Sequence, residues 1–141
     1  MFLKTNELTR NGQTIFLFEL SALQRIQYLE YLKNIEAIEE GDFQKAMAVT
    51  VETGAYVVAM SLWHGHTLKG TLKEGAVAEY VKIQQEVLST WPLELIAEAD
   101  FRVKQLSGML PLPDEEDVAI DTTAPGDDTE PVSAEKSLPV S

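Results

Sequence analysis

The chain has no cysteine, so it carries no disulfide framework, no thiolate-ligated iron–sulfur cluster and no cysteine nucleophile. Proline is nearly missing from residues 1–110, where Pro92 stands alone, and aromatic residues are missing from 111–141. Positive charge is scarce: 11 basic side chains face 23 acidic ones, a net charge of −12 over 141 residues. That balance argues against a nucleic-acid binder, whose affinity rests on Lys and Arg contacts to phosphate. It argues equally against docking on an anionic membrane surface. The longest uncharged stretch, Thr53–Leu68, holds two histidines and two glycines and falls short of the roughly 20 apolar residues of a membrane span. The start, Met1-Phe2-Leu3-Lys4-Thr5-Asn6, does not read as a signal peptide, and a soluble protein in a reducing cytoplasm is expected.

What is present is unevenly distributed. Residues 1–110 hold 14 acidic and 10 basic groups, whereas 111–141 hold nine acidic groups, the single Lys136 and five of the six prolines. A segment of that composition buries too little apolar surface to offset the entropy of ordering. The expected organisation is a folded domain over 1–110 and a disordered acidic, proline-containing tail over 111–141. No internal repeat is evident.

The fold expected for 1–110 is mainly α, a β-hairpin followed by four helices. Asn11-Gly12 is the dipeptide of a type I′ turn, which needs positive φ at both central positions. A two-residue loop there pairs Leu8 with Ile15, Lys4 with Glu19 and Leu3 with Leu20. Ser21 and Gln24 form a capping-box pattern, opening a helix whose Leu23, Ile26, Tyr28, Leu29, Tyr31, Leu32, Ile35 and Ile38 supply a broad apolar surface up to Gly41. Asp42 caps a second helix with Phe43, Met47, Val51, Gly54, Val58 and Leu62 on one stripe. Its second half, Ala55–Trp63, is apolar nearly all round, which places it at the centre of a bundle or under a partner. Thr71 with Glu74 repeats the capping pattern ahead of a third helix bearing Ala76, Tyr80, Ile83 and Val87, with Val77, Val81 and Leu88 beside them. Pro92 opens a fourth, with Ile96, Ala99, Val103 and Leu106 inward and Gly108 at its end. Phe101 falls on the opposite, polar face of that helix, near Glu94, Ala97 and Gln105.

Chemistry is thinly represented. His64 and His66 lack a third ligand, and imidazoles at a helix C-terminus sit favourably against its last carbonyls. The carboxylate pairs Glu39-Glu40 and Glu115-Glu116 lie at a helix end and in the tail, where solvated charge is expected rather than a desolvated general acid. No phosphate-binding loop or nucleophile elbow occurs. No catalytic residue, cofactor or metal is expected, and recognition falls to apolar surface. Phe101, flanked by Glu94 and Gln105, is the first candidate for a partner contact; exposed parts of Ala55–Trp63, with Tyr56, Met60 and Trp63, are the second. Trp63 and Trp91 are expected to pack in the core. A self-associating domain is compatible with so apolar a central helix.

Several long strings resemble one family. Met1-Phe2-Leu3-Lys4-Thr5, Glu19-Leu20-Ser21-Ala22-Leu23-Gln24-Arg25-Ile26, Thr53–His64, Gln85–Pro92 and Leu106-Ser107-Gly108-Met109 are similar to the tail assembly chaperones (minor tail protein G) of lambda-like long-tailed phages. The ending, Glu130-Pro131-Val132-Ser133-Ala134 with Val140-Ser141, continues the match. The resemblance implies a protein of the infected host's cytoplasm, required to build the tail and absent from the finished particle. It implies as partner the long, helical, aggregation-prone tape measure protein. It also implies a longer form, made by a backward ribosomal frameshift, that recruits tail tube subunits. Slippage in this family uses repeated bases that favour Gly-Lys near the terminus. Here the matching position is Glu135-Lys136, and a glutamate codon breaks the run. The slip site is then unusual, lies elsewhere, or the longer product is not made this way. The alternative reading is an acidic helical binding protein, a DNA mimic or host-factor inhibitor, against which stands the concentration of acidity in the tail.

Overall fold

The computed structural model describes residues 2–35 and 37–110; the disordered tail expected over 111–141 lies outside them. Strands β1 (Thr5–Arg10) and β2 (Gln13–Phe18) precede helices α1 (Ala22–Lys33), α2 (Phe43–Trp63), α3 (Ala76–Thr90) and α4 (Leu93–Leu106), the hairpin and four helices expected. The strands are antiparallel with Leu8 opposite Ile15 and Thr5 opposite Phe18, and the backbone N–H of Glu19 donates to Lys4 O at 2.8 Å. Asn11 (φ 52°) and Gly12 (φ 79°) supply the two left-handed residues of the turn. Leu8 and Leu17 enter the core. Ser61 Oγ binds both the N–H (2.6 Å) and the carbonyl (2.9 Å) of Phe18, and Ser107 Oγ accepts the N–H of Leu20 at 3.0 Å, so two hydroxyls tie the hairpin to α2 and α4.

The core is built around α2. Asp42 Oδ1 caps its start by accepting the Lys45 N–H at 3.1 Å, and every residue from Gly54 to Ser61 is buried. α3 and α4 pack along it, bringing Tyr80, Ile83, Val87, Ile96, Ala99 and Val103 against Tyr56, Val57 and Met60. By length and composition alone α2 would reach across a membrane; here its apolar second half is the centre of the helical core. α4 ends in a Schellman motif, with the Met109 N–H on Lys104 O (2.8 Å) and the Gly108 N–H on Gln105 O (3.2 Å), a geometry that requires the left-handed Gly108, φ 68°.

Two boundaries differ from the sequence reading. α1 stops at Lys33 rather than Gly41, leaving Ile35 and Ile38 outside the helix, because Asn34 turns its side-chain amide back onto Glu30 O at 3.1 Å and competes with the helical ladder. α3 begins at Ala76 after Gly75, φ 105°, and Thr71 with Glu74 caps nothing. The preceding loop is instead wound onto Glu79, whose carboxylate accepts the N–H groups of Gly70 (3.1 Å) and Leu72 (2.8 Å).

Candidate functional site

The capping box at Ser21 forms with both bonds, Gln24 N–H to Ser21 Oγ at 3.1 Å and Ser21 N–H to Gln24 Oε1 at 3.0 Å. Gln24 does not stop there. Its Nε2 donates to Met60 O at 2.8 Å, and its Oε1 also meets His64 Nε2 at 2.7 Å. Because Oε1 only accepts, His64 must carry its proton on Nε2. One turn on, Gln27 Oε1 accepts the Tyr80 hydroxyl at 2.8 Å. Tyr31 stacks on Tyr56 with centroids 3.9 Å apart and accepts from Gln84 Nε2 at 3.3 Å. Burial raises the pKa of the Tyr28 hydroxyl, with Lys104 opposing. α1 therefore docks through residues with polar handles.

That orientation decides what faces outward. Leu23, Ile26 and Leu29 are 60%, 57% and 64% exposed. An amphipathic helix ordinarily turns its aliphatic row to the core; α1 is rotated the other way by the partners of Gln24, Gln27 and Tyr31. The broad apolar surface read from its sequence is real, but much of it lies on the solvent side. Between α1 and α3 lies a hollow of about 470 Å³ lined by Gln27, Glu30, Tyr31, Asn34, Ile35, Tyr56, Val77 and Val81. Val77 and Val81, read from sequence as companions of the inward stripe, are more than two-fifths exposed. Burial, reinforced by Tyr80 and then Tyr31, pushes the Tyr56 hydroxyl up to about 12, so the hollow's floor stays neutral at physiological pH. Phe43 and Met47, at the start of α2, are also exposed and line a separate hollow with Gln44 and Ala48. Adjoining exposed aliphatics of this kind mark interaction sites more often than scattered ones do.

The partner candidates named from sequence separate into two groups. Phe101 is 53% exposed on α4; Glu94 lies near Arg10 at 3.6 Å, and Gln105 lines a shallow hollow with Lys4, Asn6, Arg102 and Leu106. These three share one side of α4, as the helix phase required. Met60 is wholly buried, which corrects its selection as a contact. Tyr56 is buried apart from its part in the hollow's floor. The physical reason is that α2 is covered by the domain's own elements and shows little of this segment to solvent. Trp63 is half-buried: its indole N–H donates to Glu79 Oε1 at 2.8 Å, its ring meets Tyr80 edge-on at 5.5 Å, and Lys69 Nζ sits 4.8 Å above it.

The titratable groups serve the fold. His66 Nε2 meets Glu86 Oε1 at 3.0 Å, while His64 turns to Gln24, so the two imidazoles serve α3 and α1 respectively. Among the described residues no group of three or more His, Cys, Asp or Glu side chains is placed to hold a metal ion. The bond from Trp63, followed by that from Leu72, holds the Glu79 carboxyl below the usual carboxylate range. Asp100 is the opposite case. Burial raises its pKa despite Lys104 at 3.3 Å, and its Oδ1 has no hydrogen-bond partner among the described residues.

A hairpin-bearing helical domain with an outward aliphatic row presents apolar surface to which a partner could bind. Comparison with known proteins makes this specific: residues 1–127 match the family described as "Bacteriophage lambda tail assembly chaperone, TAC, protein G", and the chain belongs to that family. It is 57% identical to "Tail assembly protein G" of Escherichia phage N15 and 44% identical to the protein of that name from Escherichia phage lambda, in both cases across the full length of both chains. It is also 56% identical to "Tail assembly protein GT" of phage N15, covering 98% of this chain and 55% of that longer protein. No solved structure matches.

Proposed function

We propose that this tail assembly chaperone acts without catalysis, in the host cell cytoplasm, by binding the tape measure protein and keeping it soluble until the tail is built. The observation that carries this is apolar surface left open on α1 and α3: the row Leu23, Ile26 and Leu29, more than half exposed, and the separate hollow that Tyr31, Ile35, Tyr56, Val77 and Val81 help to line. A groove edged by aliphatics accepts the apolar face of an amphipathic helix. Copies lined up on one long client gain by avidity, so each contact can be weak. The acidic composition of 111–141 adds like-charge repulsion between coated complexes. The longer GT relative, of which this chain spans about half, supports a second, frameshift-extended form that recruits tail tube subunits, the chaperone itself leaving before the particle is complete.

Co-expression with the tape measure protein tests the reading. The client is expected in the soluble fraction, eluting with this chain on size exclusion. I26K/L29K is expected to lose that effect while remaining folded by circular dichroism. A client that precipitates equally with and without the wild-type chain removes the proposal. Mass spectrometry of the products of the intact gene checks the extended form.

A further inference from the structure

Helices α2, α3 and α4 hold each other by buried aliphatic and aromatic side chains. α1 adds one buried residue to that core, Tyr28; its other buried residue is Gln24, and its four leucine and isoleucine side chains within the first eleven positions, Leu23, Ile26, Leu29 and Leu32, are all exposed. Beyond Tyr28, its attachment is largely polar: the Gln24 bonds to Met60 and His64, the Gln27 bond to Tyr80, and Tyr31, which stacks on Tyr56 and accepts from Gln84. A hydrogen bond exchanged against water holds an element less firmly than a fully buried aliphatic side chain does. A helix that buries little apolar surface belongs to the low-stability end of the fold, where local opening is drawn from. The hollow of about 470 Å³ already lies along its edge.

We propose that α1 is a hinged lid on the folded core, detaching as a unit while α2, α3 and α4 stay packed. When it lifts, the polar atoms it releases, including Met60 O and the His64 ring, return to water. The hollow then widens into a trough floored by Tyr56 and Tyr80. This deepens the client-binding reading and rests on it only for what fills the trough, an apolar helix face; the opening is a property of the chain alone.

Hydrogen exchange of the full-length chain, followed by mass spectrometry or NMR, tests it. Amides at the middle of α1, residues 26–30, are expected to exchange together and at least about 100-fold faster than those of residues 55–61 in α2, as for a sub-global opening. Gln24→Ala is expected to speed exchange of all the α1 amides alike. Should that variant not fold, Gln27→Ala, which loses only the Tyr80 bond, replaces it. Leu29→Lys, outside the docking face, is expected to leave the rates unchanged. Exchange of α1 and α2 at one common rate overturns the lid, as does acceleration confined to the terminal turn, which is fraying. A lid that opens normally beside a client that stays insoluble overturns the client assignment alone.

Discussion

The imidazole of His64 and the side-chain amide of Gln24 meet at 2.7 Å across the junction of α1 and α2. Burial first, and Lys69 second, lower the His64 pKa, so the folded chain resists a proton that the unfolded chain accepts. Stability is then full above the free imidazole's value near 6.5 and falls as pH drops from there through the lower folded value. Urea midpoints measured from pH 8 to pH 5 are expected to show this decline, and His64→Gln is expected to flatten that part of the curve.

Gln24 is itself the more costly residue to lose. Gln24→Ala strips bonds from Ser21 N–H, Met60 O and His64 inside a nearly inaccessible site. Leaving buried groups unpaired there is expected to cost about 2–3 kcal/mol in chemical denaturation.

Glu79 holds the loop before α3 by three donors, from Trp63, Gly70 and Leu72. Its carboxyl pKa is depressed, so its stabilising effect is present above the unfolded value and is lost as pH falls below it, through the folded one. Glu79→Gln replaces one accepting oxygen with a donor. The expected outcome is a shifted Trp63 indole proton resonance, altered tryptophan emission and faster exchange at Gly70 and Leu72.

Asp100 carries the opposite sign. Its pKa is raised by burial, so ionisation costs stability, with the cost growing as pH rises from the unfolded value and complete above the folded one. Asp100→Asn is expected to raise stability at neutral pH by on the order of 1 kcal/mol, since it removes a partly buried charge with one unpaired oxygen. The gain should vanish in acid, where both side chains are neutral.

Phe101→Asp and I26K/L29K change exposed residues, so each is expected to shift unfolding free energy by no more than about 0.5 kcal/mol. Thermal denaturation of both variants checks this, and a large loss for Phe101→Asp would place that ring in the core. Assayed with the client, the pair tells which surface, α4 or α1, makes the contact.

Most of the architecture was legible because its signals are local. Asn11-Gly12 specifies the turn and thereby the register, Ser21 with Gln24 specifies the start of α1, and the apolar run after Gly54 marks the central helix. The misses are tertiary. Thr71 and Glu74 have the spacing of a cap, yet the loop follows Glu79, a partner that no local pattern reveals. The selection of Met60 failed because an all-apolar helix face does not say which neighbours cover it. The direction of α1 is carried by a different signal: Gln24, Gln27, Tyr28 and Tyr31 share one side of the helical wheel, opposite Ile26. Groups able to satisfy a buried partner mark the side that docks, where a count of aliphatics alone gives no direction.

Within α1, the side chains that fold the domain and those that meet the outside are different residues. Gln24, Gln27, Tyr28 and Tyr31 are bound by the requirements of the core. Ile26 and Leu29 touch little of it, so they can change with little effect on the architecture. The outward row of such a helix is free to vary, generation by generation, on a scaffold that stays as it is.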